Sequence, residues 1–277
     1  MRTWSVDLIH AHDARSHALA MIALIGRAEL PLVVTRRVPF PPRSVRLKYG
    51  SRVTRFIAIS NAVRDAMVEG GIDASRITVV HSGIAHRTHA VEPRDWRSEL
   101  EWPADSVIAG IVGAMTAEKG VDALAAIAAA LDHKVKSRTR VILLGGSSKG
   151  TQEIQGLTVH SAGFVSDIDP AIAGLDVLWH PSRSEGLGTS IIDAMSLGVP
   201  PIAFSVGGIP EVIQHEQSGL LVPAGDARAF AAAAARLVED SGLRKRLGDQ
   251  AKERAKTFDA REMTKGTEEV YQSVLSG

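Results

Sequence analysis

The 277-residue sequence has no cysteine, which excludes disulfide bridges and thiolate metal sites. Long hydrophobic runs are also missing, since stretches such as residues 18–26 are too short to span a bilayer. Asp7 and His10 stand where a signal peptide would carry its apolar core. Neither sign of charge dominates. The 32 Lys and Arg face 31 Asp and Glu, a net charge of +1, so no chain-wide field argues for nucleic acid as a partner. Aromatic residues are scarce at 4%, yet the hydrophobic fraction of 45% is ample for buried cores. The expectation is a soluble cytoplasmic protein, long enough for two domains of ordinary size.

What is present is a β/α rhythm. Apolar runs at residues 6–10, 32–35, 56–59 and 78–80 read as strands, with helical patterns at 13–26 and 61–69 between them. Residues 83–103 turn polar, with Pro93 and Pro103 and no regular apolar period, and read as a linker with a boundary near residue 93. The rhythm then restarts. Strands are expected at 107–112, 141–144, 177–180, 201–204 and 220–222, with a short one around Val159. Helices are expected at 121–131, 227–240, 243–258 and 261–275. Strands alternating with helices predict parallel sheets covered on both faces, an α/β fold of two Rossmann-like domains facing a cleft. The expected division is 1–93, 94–260 and a terminal helix at 261–277 that packs back on the first domain.

One segment carries chemistry. "HPSRSEGLGTSIIDAMSLGVPPIAFSVGGIPEV", residues 180–212, reads as a loop at 182–187 and a helix from about 188 to 197, stopped by Gly198 and Pro200. Glu185 falls just outside the helix N-terminus and Asp193 inside the helix. Gly186 and Gly188 let a ligand approach the backbone, where free N–H groups and the positive dipole end face it. Such a place suits an anion that also carries hydroxyls. A sugar nucleotide fits, and so do other phosphates.

In order and spacing, "IVGAMTAEKGVD", "VILLGGSSKG", "SAGFVSDI", "VLWHPSRSEGLGTSIIDAMSLGVPPIAF", "VGGIPEVI" and "SGLLVPAGD" resemble the C-terminal domain of retaining glycosyltransferases of family 4, with the GT-B fold. "DLIHAHDARS", "LPLVVTRRVPFP", "RFIAISNAVRDAMVEGGI" and "ITVVHSG" resemble the second half of that family's N-terminal domain. The opening strand, glycine-rich loop and helix of that domain have no counterpart, so the first domain is expected to be incomplete. Self-association through residues 1–60, or a loosened first half, follows as an expectation.

The resemblance implies a site. The family's paired acids match Glu185 and Asp193, the second being Asp where Glu is usual. Gly186, Leu187, Gly188 and Thr189 would offer backbone groups to the distal phosphate and sugar, and Lys119 would neutralise the leaving diphosphate. Ala114 stands where the family often has an arginine. Gly113, Gly145 and Val165 fall where the family brings backbone to the nucleotide. On the acceptor side the matching candidates are His12 and Arg37. Residues 30–64 hold eight basic and no acidic side chains, among them Arg36, Arg43, Arg46, Lys48 and Arg64, a run that suits an anionic acceptor or the inner membrane surface. No metal or cofactor is implied, because "DID" at 167–169 is placed in a loop the family does not use for metal. The expected activity is transfer of a sugar from a nucleotide-diphosphate sugar to a hydroxyl of a cell-surface glycan, lipopolysaccharide or lipid-linked precursor. A non-catalytic sugar-nucleotide-binding protein and a nucleotide-sugar epimerase are the alternatives.

Overall fold

The computed structural model describes residues 6–26, 29–42, 45, 49–85, 87 and 89–276. They form two compact units, Met1–Ala85 with Phe258–Gly277, and His86–Thr257. The first unit is built on a parallel sheet in the spatial order β1 (Ile9–Ala11), β2 (Leu32–Arg36), β3 (Arg55–Ala58), β4 (Ile77–Val79). After β1 comes α1 (Ala14–Ala23), whose N-cap Asp13 accepts from the Arg15 and Ser16 amides at 2.7 and 2.8 Å. After β3 comes α2 (Asn61–Glu69), capped by Ser60. Leu19, Ile22 and Ile25 are exposed on and just beyond α1. The C-terminal helix Ala260–Leu275 joins this unit because Val270 packs with Val33, Ile57 and Val80. A bridge between Ile84 and Asp259 fixes its start.

The second unit is a six-stranded sheet in the order β10-β9-β8-β5-β6-β7. Its strands are β5 (Val107–Val112), β6 (Thr139–Ile154), β7 (Leu157–Gly163), β8 (Val177–His180), β9 (Pro201–Phe204) and β10 (Leu220–Val222). The helices that matter below are α3 (Ala123–Ala130), α4 (Ile168–Ala173), α5 (Thr189–Ser196) and α6 (Ala227–Glu239). Trp179, Phe204 and Phe230 meet edge-to-face in the core, with ring centroids 5.4 and 5.7 Å apart. From β5 the chain runs outward through β6 and β7, then crosses to β8 on the other side. The C-terminal ends of β5 and β8 therefore flank a topological switch point, where open α/β sheets bind ligands.

Three details add to or differ from the sequence reading. The sheet is parallel as expected, with one added arm in which Gly150–Ile154 fold back antiparallel on Leu157–Ser161 as a hairpin. Gln155 and Gly156 make its turn with φ of 51° and 74°, the paired positive values of a tight two-residue connection. The changeover between units falls at residues 85–86, not 93. Polarity suggested a linker, yet the Arg94 amide bonds Pro170 O at 2.9 Å and Trp96 is buried, its indole N–H reaching Ala171 O at 2.9 Å. Asp169, placed in a loop by the sequence reading, lies in the first turn of α4. Among the described residues no helix is long and apolar enough to cross a membrane, and no three His, Asp or Glu side chains converge as a metal site.

Candidate functional site

Lys119 ends a short 3-10 turn after β5, and Glu185 sits in the loop after β8. Their meeting depends on two glycines. Gly120 has φ of 73°, and a Cβ there would overlap the carbonyl oxygen of Pro181, so only glycine lets the two loops touch. The Arg183 amide then bonds Glu118 O at 2.9 Å across the contact. Gly207, with φ of 51°, lies equally close to the backbone carbonyl of Glu185, and the Gly208 amide donates to that carbonyl at 3.1 Å. The "GGIPE" segment thus holds the Glu185 backbone as well as starting a helix.

The side chains converge on one oxygen. Glu185 Oε2 lies 2.5 Å from Lys119 Nζ and 3.2 Å from His180 Nε2. Ser182 Oγ is 3.0 Å from the same Nε2. A carboxylate only accepts, so Nε2 carries the proton and Ser182 Oγ accepts its second branch. Side-chain exposure falls from 31% at Lys119 to 14% at Glu185 and 2% at His180, so the acid is held from within and the amine is reachable from outside. Burial pushes the Glu185 carboxyl up, but the bonds from His180 and Lys119 and their charges outweigh it and bring it down to about 2. Glu185 is a fixed anion.

Around this pair lies close-packed backbone. The Gly113 amide bonds Leu144 O at 3.0 Å, and Gly145 is seated against the Gly113 carbonyl. Gly186, Leu187 and Gly188 are buried, and Thr189 opens α5 with no side chain capping its first turn. Val165 follows β7 and is half-buried. Asp193 lies one turn into α5, where burial raises its carboxyl against the opposing pull of Arg87, whose Nη2 is 3.3 Å from Oδ1. Ala114 is exposed.

The acceptor-side candidates belong to the first unit. His12 is exposed, its ring 3.9 Å from that of His10, and Arg37 is exposed at the end of β2. His10 is the more constrained group, 2.6 Å from Tyr271 OH and 2.7 Å from Thr35 Oγ1. Burial, then His12 and Arg37, lower it to about 4. Several arginines of the basic run bind their own backbone. Arg36 reaches Phe40 O at 2.5 Å, Arg52 reaches Leu30 O at 2.8 Å, and Arg55 reaches Ser75 O at 2.6 Å. Arg43, Arg46 and Lys48 lie outside the described residues.

Sequence reasoning missed His180, Ser182, Arg87 and Asp169. His180 ends a fully buried strand and reads as the tail of an apolar run. Arg87 lies in the polar stretch taken as linker, where nothing marks one arginine above its neighbours.

Residues 106–240 match the family described as Glycosyl transferases group 1, and residues 1–87 match Glycosyltransferase Family 4. A D-inositol 3-phosphate glycosyltransferase of Streptomyces bingchenggensis is 29% identical over 99% of this chain and 63% of its own length. One of Corynebacterium glutamicum is 29% identical over 71% of this chain and 51% of its own. The chain thus spans less than two thirds of these relatives. Among solved structures, Anabaena HepE in complex with UDP superposes with a TM-score of 0.83 and 25% identity, over 96% of this chain and 79% of that one. Sucrose-phosphate synthase of Thermosynechococcus elongatus shares the fold with a TM-score of 0.80 and 22% identity, over 98% and 74%.

Proposed function

The chain belongs to the GT-B glycosyltransferases of group 1 and family 4, and from that premise we propose that it is a retaining glycosyltransferase. It moves a sugar from a nucleotide-diphosphate sugar to an acceptor hydroxyl. The observation that carries this reading is the Lys119–Glu185 pair at the start of α5, beside the C-terminal ends of β5 and β8. A fixed anion, a reachable cation and an uncapped helix start together match a sugar joined to a diphosphate.

In this reading Lys119 and the first turn of α5 take the diphosphate, Glu185 faces the sugar, and Asp193 takes the ribose. Gly113, Gly145, Val165 and residues 186–189 bring backbone to the donor. The bond from the anomeric carbon to the diphosphate oxygen breaks, and the acceptor oxygen bonds that carbon on the same face. The acceptor's proton passes to the departing diphosphate, which leaves with both bonding electrons. The chain supplies positioning and charge stabilisation, with no covalent step of its own. The acceptor is a cell-surface glycan, lipopolysaccharide or lipid-linked precursor, and His12, Arg37 and the basic residues of the first unit are the groups offered to it.

UDP complexes of the similar Anabaena protein make UDP-sugars the first donors to test. Thermal melts with UDP, GDP, ADP and their sugars should show stabilisation by one series, lost in Lys119→Ala. Release of that diphosphate from its sugar in the presence of acceptor should depend on Glu185. Absence of stabilisation by every diphosphate at millimolar concentration would overturn the donor site. Stabilisation without turnover under any acceptor would favour a binding protein, a reading that Ala114 in place of the family's arginine also supports.

A further inference from the structure

Asp193 is the shorter of the two acids that could sit at this position, and its carboxylate is not left to itself. Arg87 enters at the start of the second unit and forks onto Asp169 of α4, with Nε and Nη2 each 2.6 Å from a carboxylate oxygen. The same Nη2 is 3.3 Å from Asp193 Oδ1, and Nη1 bonds Ser196 Oγ at the end of α5. One guanidinium therefore joins the entering chain, α4 and α5. The bidentate Asp169 pair is already enough to anchor Arg87. The reach to Asp193 is a further contact, and it engages only Oδ1, while Oδ2 makes no hydrogen bond among the described residues. Arg87 and Asp193 are 19% and 32% exposed, so the pair is sheltered while the free oxygen can still meet a ligand.

We propose that Arg87 is a positioning residue for the donor ribose: it fixes one oxygen of Asp193 and leaves the other to accept a ribose hydroxyl. A planar, permanently charged fork suits this task, since it orients a carboxylate that the shorter stem has drawn back. Asp169 in turn holds the guanidinium, and the fork holds the Asp169 carboxyl below its usual range. The inference rests on the nucleotide-sugar reading above. A mere tether would make a different prediction, because losing it would cost stability and leave the choice of ribose untouched.

The test compares dissociation constants of the full chain, by calorimetry, for the diphosphate that stabilises the wild type and for its 2′-deoxy and 3′-deoxy forms. The wild type should prefer the ribonucleotide over at least one deoxy form by roughly ten-fold or more, the scale of a hydrogen bond to a charged group. Arg87→Ala should bring that ratio to within roughly two-fold, chiefly by weakening the ribonucleotide. Arg87→Lys, which keeps the charge and loses the fork, should restore only part of it, and Asp169→Asn should lower it through Arg87. A ratio unchanged in Arg87→Ala overturns the proposal, as does equal weakening of ribo and deoxy forms. Should that variant fail to fold, an unchanged ratio in both Arg87→Lys and Asp169→Asn overturns it. Failure of the wild type to bind any diphosphate defeats the underlying reading instead.

Discussion

Replacing Glu185 by Gln keeps the shape of the side chain and removes the charge that Lys119 and His180 grip. Holding this carboxyl at about 2 rather than at its ordinary 4.5 corresponds to about 3 kcal/mol of bias toward the ionised form. The folded pKa is depressed, so this stabilisation is fully present above about pH 4.5 and is lost as pH falls through about 2. At neutral pH Glu185→Gln forfeits part of it. The amide oxygen still accepts from His180, so the expected cost is about 1–2 kcal/mol. Lys119→Met should cost a similar amount, because it leaves a largely buried carboxylate with one partner fewer. If the 2.5 Å contact is a true coupling, the double variant should lose about 1–2 kcal/mol less than the sum of the singles. In a unit of this size that is a discrepancy of roughly 2–8 °C in melting temperature, measurable by calorimetry or urea titration at pH 7. Strictly additive effects, or single variants that melt at or above the wild type, would refute the pairing.

Gly120→Ala should force the Lys119 loop away from Pro181, and we expect both a loss of about 2 kcal/mol or more and a diminished diphosphate-induced melting shift. An unchanged response to ligand would show that the loop contact does not set the Lys119 position. His10 should titrate near 4 by NMR, well below its ordinary 6.5. The fold holds the neutral ring, so stability of the first unit should fall by up to about 3 kcal/mol as pH drops from about 6.5 toward 4, and a His10→Gln variant should lose most of that dependence. A midpoint near 6.5 would contradict the burial argument. Glu185→Gln should also bind the diphosphate at least as tightly as wild type, since it releases Lys119 and removes a nearby negative charge, while abolishing turnover; weakened binding would place Glu185 on the phosphate side.

The parts of the fold legible in the sequence are those set by local periodicity. Val107–Val112, Val177–His180 and Pro201–Phe204 are buried on both faces and read as unbroken apolar runs, as parallel strands do. The hairpin arm Gly150–Ile154 was not legible, because its exposed, polar residues carry neither apolar alternation nor a familiar turn pair. Resemblance marked Glu185 and Lys119, but not what fixes them. The imidazole of His180 approaches from five residues away, and the fork from Arg87 to Asp169 spans 82 positions. Contacts of that separation follow from the order of the strands, which periodicity does not encode.

The charge balance of the site leads to a last prediction, at Ala114. Lys119 is paired with Glu185, and Arg87 with Asp169 and Asp193, so both cations of the site are already engaged by carboxylates. A diphosphate bound as proposed would draw Lys119 partly away from Glu185, with a helix start worth about half a charge as its other support. Weak binding with a marked salt dependence is expected. Ala114 is exposed at the mouth of the β5 loop, so an arginine there has room to reach a phosphate. A charge-assisted hydrogen bond contributes about 1.5–3 kcal/mol. Ordering a long side chain costs up to about 2 kcal/mol, so the net gain should be near 1 kcal/mol, or roughly five-fold in affinity. Ala114→Arg should show this gain at low salt by calorimetry and lose much of it at about 0.5 M salt, where screening is strong. Ala114→Leu, a larger side chain with no charge, should show none. If Ala114→Arg binds the diphosphate no better than Ala114→Leu, the phosphates do not lie beside residue 114, and the donor has been placed wrongly.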